Sequence, residues 1–477
     1  MKKRDILIAL ILFVVALVFY MVKIDLKSIW YDETLSLIIS GKSLGKIFYI
    51  LRHSSPHPPL YFLFLKPFIY FDNIFLWRGV SAFFMSLGVP AVYLLVRRYI
   101  NEISAILMAF LYILSPLALY YSQEIRMYAL VAGFFSWFLY LHFIYFENNN
   151  RYILAFLSVV GLFFSFSHFF SLLILPAFIV TVFYMYLISK EKKYLFVTIS
   201  DSVNFLLITL WYFGAKDAMR AADIGGRVYH ISLMYYVKVF SKFWNLPGRL
   251  AMILLILITL YLIFLFYKKR FKDIGIVLIF FTLFFPWFLL KIKPPKHWLN
   301  PRYFIAFLPL FLLSFSIIVN ETLQLFPKYR KIFFVGFFII WTFLVFNSIK
   351  YDKSYFQRDK HAWLEVIEYF KDAGVKDGDF YFFQPPYIQP AFVFNVPFSL
   401  KDKLIIFKKV NRILPLKQIE FSNKQVFVSV APLLNRLQDK IRNNKGRIFI
   451  ISNTKQKVGK LIKSFNPIEG RLFIYEL

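Results

Sequence analysis

The 477-residue chain contains no cysteine. That excludes thiol catalysis, disulfides and cysteine-ligated metal, and leaves the redox compartment unspecified. Charge is also scarce, at 17% of residues, and unevenly signed, with 26 acidic against 57 basic side chains. No Walker sequence, no glycine-rich phosphate loop and no G-x-S-x-G elbow occurs, which argues against a nucleotide-driven pump. Internal repeats and low-complexity linkers are absent as well.

What fills the sequence instead is apolar. Hydrophobic residues make up 59%, including 62 Phe and 31 Tyr, against roughly 45–50% in a soluble globular protein. A soluble chain of this kind would expose aggregating patches, so it belongs in lipid. The net charge of +31 would suggest nucleic acid in a soluble protein. Here the basic residues flank apolar runs, which points to a membrane and not to nucleic acid.

A bilayer-crossing helix needs about 20 apolar residues. Eleven runs qualify: 6–22, 78–96, 103–121, 129–146, 152–167, 169–188, 194–213, 249–267, 274–290, 303–319 and 332–349. The first follows Met-Lys-Lys-Arg and reads as an anchor, because no small-residue cleavage site follows Tyr20. With a cytoplasmic N-terminus, the N-terminal tetrapeptide and the loops at Arg97-Arg98, Glu147 to Arg151, Lys190 to Lys193, Lys268 to Asp273 and Asn320 to Lys331 all fall inside, each carrying Lys or Arg. Residues 23–77, 122–128, 214–248, 291–302 and the tail are then outside. Pro58 to Phe71 is too short to span and reads as an interfacial helix, and Thr34 to Leu51 as an amphipathic helix lying on the membrane.

From about residue 350 the pattern changes to a charged helical stretch, His361 to Asp372, and short strand-like runs at Phe380 to Phe383, Leu404 to Phe407, Arg447 to Ile451 and Arg471 to Tyr475. The expected fold class is therefore a polytopic α-helical membrane protein of about eleven transmembrane helices with a small C-terminal α/β domain on the outer face. Its membrane domain is 1–349, with the outer loop 23–77, and its tail domain is 350–477.

Acidic residues are few enough to census. On the outer face of the membrane domain stand Asp25, Asp32, Glu33, Asp72, Glu124, Asp217 and Asp223. Asp32 and Glu33 form the one adjacent pair among them, in Ile-Trp-Tyr-Asp-Glu-Thr. Neighbouring aromatics would partly desolvate a carboxylate there, as a general base requires, or Asp32 caps the helix that follows. A second cluster sets His57 among Pro56, Pro58 and Pro59, a rigid turn at the membrane surface. It either presents His57 to a phosphate or acceptor or starts a helix beside an incidental histidine.

The third cluster is Ser122-Gln123-Glu124-Ile125-Arg126-Met127-Tyr128. Its arginine, with Arg78 and Arg302-Tyr303 at the same outer face, suits a lipid-linked phosphate, because the guanidinium fork donates two parallel hydrogen bonds. The alternatives are a Glu124–Arg126 ion pair and snorkelling into the headgroups. His168, His230 and His297, with Asp32 or Glu33, are the candidates for a divalent metal, although no ligand spacing supports one. Asp201, inside a span beside Ser200, Ser202 and Asn204, reads as interhelical glue.

Taken in order, Trp30-Tyr31-Asp32-Glu33, His57-Pro58-Pro59-Leu60-Tyr61, Arg78 with Ser81, Ser122 to Tyr128 and Arg302-Tyr303 resemble the membrane glycosyltransferases of the GT-C fold. More narrowly they are similar to the dolichyl-phosphate-mannose protein mannosyltransferase superfamily and its bacterial relatives that modify lipid A and other glycans. The resemblance covers residues 1–310 and leaves the tail domain unmatched. It implies transfer of a sugar from a polyprenyl-phosphate donor to an acceptor hydroxyl, with inversion, on the non-cytoplasmic face of the plasma or inner membrane. Asp32 would be the general base, with Glu33 catalytic beside it. Tyr31, His57, Arg78, Gln123, Glu124, Tyr128, His168 and Tyr303 would line the substrate pocket, and Arg126 and Arg302 would hold the phosphate.

Expected partners are the polyprenyl-phosphate-linked donor, a glycan, lipid or protein acceptor, and membrane lipid. Metal dependence varies among the proteins it resembles, so the cofactor is left as none or a divalent metal. The extended motif after the acidic pair and the lumenal inserted domain of eukaryotic protein mannosyltransferases are missing, which counts against protein O-mannosylation. The competing function is a transporter or flippase of a lipid-linked sugar, which would use the arginines without chemistry.

Overall fold

The computed structural model describes residues 3–222, 233–267, 301–357, 361–373, 380–384, 389–395, 417–421, 424–428, 448–453, 455, 460–465 and 471–476. The expected span 274–290, the strand-like run at 404–407, and His230 and His297 lie outside them.

In chain order, α1 (Lys3–Met21) leads to three short helices, α2 (Tyr31–Ser40), α3 (Leu44–His53) and α4 (Leu60–Leu65). Then come α5 (Ile74–Tyr99), α6 (Glu102–Ile113), α7 (Pro116–Ser122), α8 (Tyr128–Asn148), α9 (Arg151–Ser165), α10 (Ser171–Ser189) and α11 (Lys192–Gly214). Among the described residues, seven helices are long and apolar enough to cross a bilayer, and two bent pairs raise that to nine. The chain is an integral multi-pass membrane protein.

Three departures from the expected pattern have local causes. The run 103–121 bends by 54° between α6 and α7, because Pro116 offers no N–H to continue the ladder. Ser115 at the break donates instead to the Phe243 carbonyl at 2.8 Å. The run 152–167 forms α9, only 15 residues long. The single amphipathic helix expected over Thr34 to Leu51 is two helices, since Gly41 ends α2 and Ser43, in extended backbone, starts α3.

The chain divides into two compact units. One comprises Met1–Val22, Lys42–Pro67 and Phe75–Asp352, and the other Lys23–Gly41, Phe68–Ile74 and Lys353–Leu477. Residues 23–77 are thus divided between them, with Lys23–Gly41 and Phe68–Ile74 grouping with the tail.

In the helical unit, α5 and α8 approach until their backbones touch. A Cβ at Gly133 would lie 2.2 Å from the Phe84 carbonyl oxygen, the close crossing that small residues permit in membrane bundles. Aromatic rings fill the space beside it, with Phe134 against Phe84 and Phe163 at 5.3 Å each. At one end of the bundle Arg97 pairs with Asp5 at 3.0 Å, Arg4 with Glu102 and Arg98 with Glu147. Segments that the charge pattern assigns to one side of the membrane are therefore joined to one another.

Asp201 is interhelical glue, and its partner is one the sequence did not single out. His142 Nε2 on α8 lies 2.9 Å from Asp201 Oδ2 on α11, both side chains fully enclosed. Nearby, Ser158 and Ser200 hydroxyls bond at 2.7 Å, and Asn204 donates to the Ser158 carbonyl.

In the other unit, β1 (Phe380–Gln384) pairs in parallel with β4 (Ile448–Ser452). β6 (Leu472–Glu476) lies antiparallel to both β4 and β5 (Lys460–Phe465), giving the order β1-β4-β6-β5. β2 (Lys417–Phe421) and β3 (Lys424–Val428) form a separate hairpin. Val366, Ile367 and Phe370 of the helix Trp363–Asp372 bury against Phe383, Phe449, Ile451 and Ile474 of the sheet. β5 was not expected from the sequence because Lys-Leu-Ile-Lys-Ser-Phe lacks strict alternation.

Candidate active site

Two tight turns carry the most distinctive residues of the helical unit. In the first, the His57 amide donates to the Ser55 carbonyl at 2.8 Å, and Pro58-Pro59 lead directly into α4. In the second, between α7 and α8, the Arg126 amide donates to the Glu124 carbonyl at 2.7 Å. The turns are tied together. Tyr61 hydroxyl bonds Ser81 Oγ at 2.9 Å, and Ser81 donates to the Arg126 carbonyl at 3.3 Å. Trp211, at the end of α11, donates its indole N–H to the His57 carbonyl at 3.3 Å.

Onto this frame converge six of the expected residues: His57, Arg126, Tyr128, His168, Arg302 and Tyr303. Arg126 Nη2 donates to His57 Nε2 at 3.4 Å. The rings of His57 and His168 are 6.4 Å apart, and His168 sits 5.0 Å from Tyr303 and 5.7 Å from Tyr128. Both guanidiniums lie over one ring, Arg302 at 5.3 Å and Arg126 at 5.9 Å from the Tyr128 centroid. Arg302 is also 5.5 Å from Tyr303. The cluster concentrates two permanent cations on an aromatic floor beside two imidazoles.

The protonation of those imidazoles follows from their partners. The Phe170 amide donates to His168 Nδ1 at 3.0 Å, so the proton of the neutral ring is on Nε2. Burial holds His168 down to about 3, with Arg126 and Arg302 adding to the effect. His57 is held well below the usual histidine range by loss of hydration, then by Arg126, His168 and Arg302. Both are neutral at physiological pH, each a hydrogen-bonding group that an arriving anion would make more basic.

Arg78 and Arg126 are not snorkelling. Arg78 is fully enclosed within α5 and Arg126 is 4% exposed, so neither head reaches the lipid headgroups. Glu124 is likewise enclosed, at 1%. Gln123 has a structural use: both its amide hydrogens go to the end of α1, to the Tyr20 and Val22 carbonyls at 2.9 and 2.8 Å.

Tyr31, Asp32 and Glu33 belong to the other unit and open α2. Glu33 caps the start of that helix. The helix begins at Tyr31, and Glu33, fully buried, accepts the Trp30 amide at 3.2 Å. Asp32, one residue earlier in the first turn, is partly exposed.

Among the described residues no group of three or more His, Asp or Glu could hold a metal ion. His168 spends Nδ1 on a backbone amide and faces arginines, a setting unlike a cation site. Sequence reading overlooked Trp211, whose signal was an aromatic residue at a span end. It also overlooked His142, for which a buried polar residue in an apolar run was the clue.

The polytopic helical architecture, with its small strand-containing C-terminal region, has solved counterparts. ArnT from Cupriavidus metallidurans bound to undecaprenyl phosphate is similar over 98% of this chain and 97% of that one, with a TM-score of 0.54 and 12% identity. Apo ArnT from the same organism matches over the same shares with a TM-score of 0.52 and 11% identity. The chain thus has the GT-C membrane fold that its ordered motifs resemble. No protein-family model and no curated protein sequence matches it.

Proposed function

We propose that the protein is an inverting glycosyltransferase. It moves a sugar from a polyprenyl-phosphate donor to an acceptor hydroxyl of a glycan, lipid or protein on the non-cytoplasmic face. The observation that carries this reading is the convergence of Arg126 and Arg302 on Tyr128 beside neutral His57 and His168, in the fold of a protein whose solved structure holds undecaprenyl phosphate.

In this mechanism the two guanidiniums bind the donor phosphate. Their contacts strengthen as the leaving phosphate gains charge, and this lowers the barrier because the cations are already in place. His57 and His168, each neutral with one N–H, donate to the same oxygens. Asp32, assigned by the motif it shares with GT-C enzymes, removes the acceptor proton, while Glu33 holds the start of α2 that carries it.

The test is transfer of radiolabelled sugar from a panel of polyprenyl-phosphate donors by the purified protein in detergent. Label should move to acceptor or to free sugar, and Arg126→Ala and Arg302→Ala should weaken donor binding. Donor binding without turnover across acceptors and metals would favour the flippase.

A further inference from the structure

The C-terminal unit contains a feature that the proposed chemistry leaves unused. Four consecutive residues just ahead of Asp32 each take a partner from the segment 355–395. Lys27 Nζ donates to the Tyr355 carbonyl at 2.5 Å and lies 4.0 Å over the Tyr355 ring. Ser28 Oγ accepts the Leu364 amide at 3.0 Å. Ile29 is gripped at both ends of its peptide by one side chain. Asn395 Oδ1 accepts the Ile29 amide at 2.8 Å, and Asn395 Nδ2 donates to the Ile29 carbonyl at 2.6 Å. Trp30 stacks on His361, with centroids 4.9 Å apart and planes 17° from parallel. The next residue is Tyr31, where α2 begins with Asp32 at its second position.

The Asn395 contact is fully determined. Its second amide hydrogen goes to the Ala391 carbonyl of its own helix at 2.7 Å, so a flipped amide would set its oxygen against two carbonyls. A side-chain amide here pairs with backbone as a strand neighbour would. Lys27, Ser28 and Ile29 are all buried, so each lost contact would leave a polar group enclosed without its bond, which is costly.

We propose that Tyr355, His361, Leu364 and Asn395 together position the acidic motif, with Asn395 and His361 as positioning residues that set where α2 starts and hence where Asp32 stands. The inference rests on the reading of Asp32 as the acceptor base, and it gives the C-terminal domain a role in the membrane reaction. Asn395 and His361 do not touch substrate in this account. They act through Ile29 and Trp30.

The experiment uses the full-length protein in detergent, with Asn395→Leu, the isosteric Asn395→Asp, His361→Ala and His361→Phe. Two readouts are taken: sugar turnover with a polyprenyl-phosphate donor, and amide hydrogen exchange over residues 27–40. Displacing a catalytic group by about 1 Å can cost on the order of a hundred-fold. N395L and N395D should therefore lower kcat at least ten-fold with KM for donor within two-fold, and H361A should do the same. H361F keeps the stack and should recover most of the rate.

Exchange over 27–40 should speed up at least ten-fold in N395L, N395D and H361A but not in H361F. Unchanged exchange in N395D and H361A overturns the proposal whatever the activity. Faster exchange with wild-type turnover overturns it too. Faster exchange in a protein whose wild type transfers no sugar upholds the positioning role and locates the failure in the assignment of Asp32.

Discussion

His142 Nε2 on α8 lies 2.9 Å from Asp201 Oδ2 on α11, both side chains in a fully enclosed site. His142 Nδ1 lies 2.8 Å from the Phe138 carbonyl, which can only accept, so Nδ1 carries a proton of its own. Phe138, Phe146 and Phe178 surround the imidazole within 5.8 Å.

Breaking such a pair strands one polar group among phenyl rings. His142→Phe or Asp201→Leu alone should destabilise the bundle by about 3–5 kcal/mol, and the double variant should recover most of that. Thermal unfolding in detergent measures it, and equal losses in single and double variants would contradict the coupling.

Arg126 and Arg302 should each be needed for lipid phosphate. Removing one charged hydrogen-bond donor costs about 1.5–3 kcal/mol, so Arg126→Ala and Arg302→Ala should each weaken undecaprenyl phosphate binding about ten-fold or more. Lysine at either position should recover only part, because it lacks the planar fork. Affinity by tryptophan fluorescence or calorimetry decides this, and unaltered binding in both variants would remove the phosphate site.

His168 makes the unliganded protein acid-sensitive. Its folded value, about 3, lies below the ordinary histidine value, so between roughly pH 6.5 and pH 3 the unfolded chain binds a proton that the folded one refuses. Stability should fall across that window as pH drops. His168→Gln, which does not titrate, should flatten the slope measured by chemical denaturation at stepped pH, and an unchanged slope would place the imidazole in contact with water.

The crossing of α5 and α8 leaves no room at Gly133. Alanine there would meet the Phe84 carbonyl at 2.2 Å, backbone against backbone, and must push the helices apart. Overpacking of this kind costs typically about 1–3 kcal/mol. Gly133→Ala should lower the unfolding temperature, whereas Gly336→Ala, with nothing within 4 Å, should not.

The helical spans were legible because about 20 apolar residues in a row have few alternatives to crossing a bilayer, whereas the bend at Pro116 inside the run 103–121 was not read from the sequence. The six clustered residues were legible as types, since histidine and arginine beside apolar runs demand a reason. Their convergence was not, because loops far apart in sequence meet only through folding. Gln123 also serves α1, a use the sequence did not suggest, since both its amide hydrogens go to carbonyls at the end of that helix. The grip of Asn395 on Ile29 was beyond reach from sequence, since an asparagine in an apolar stretch signals no partner hundreds of residues away. Asp32 was singled out by its resemblance alone, and its place at the second position of α2 emerged only once that helix was seen to begin at Tyr31.

The most direct test of the account is sugar release from a radiolabelled polyprenyl-phosphate donor by the wild type and by Asp32→Asn, with undecaprenyl phosphate affinity measured on both. Loss of transfer in the variant with binding retained within two-fold is the predicted result. Equal transfer by the two proteins would contradict the assignment of Asp32 as the base.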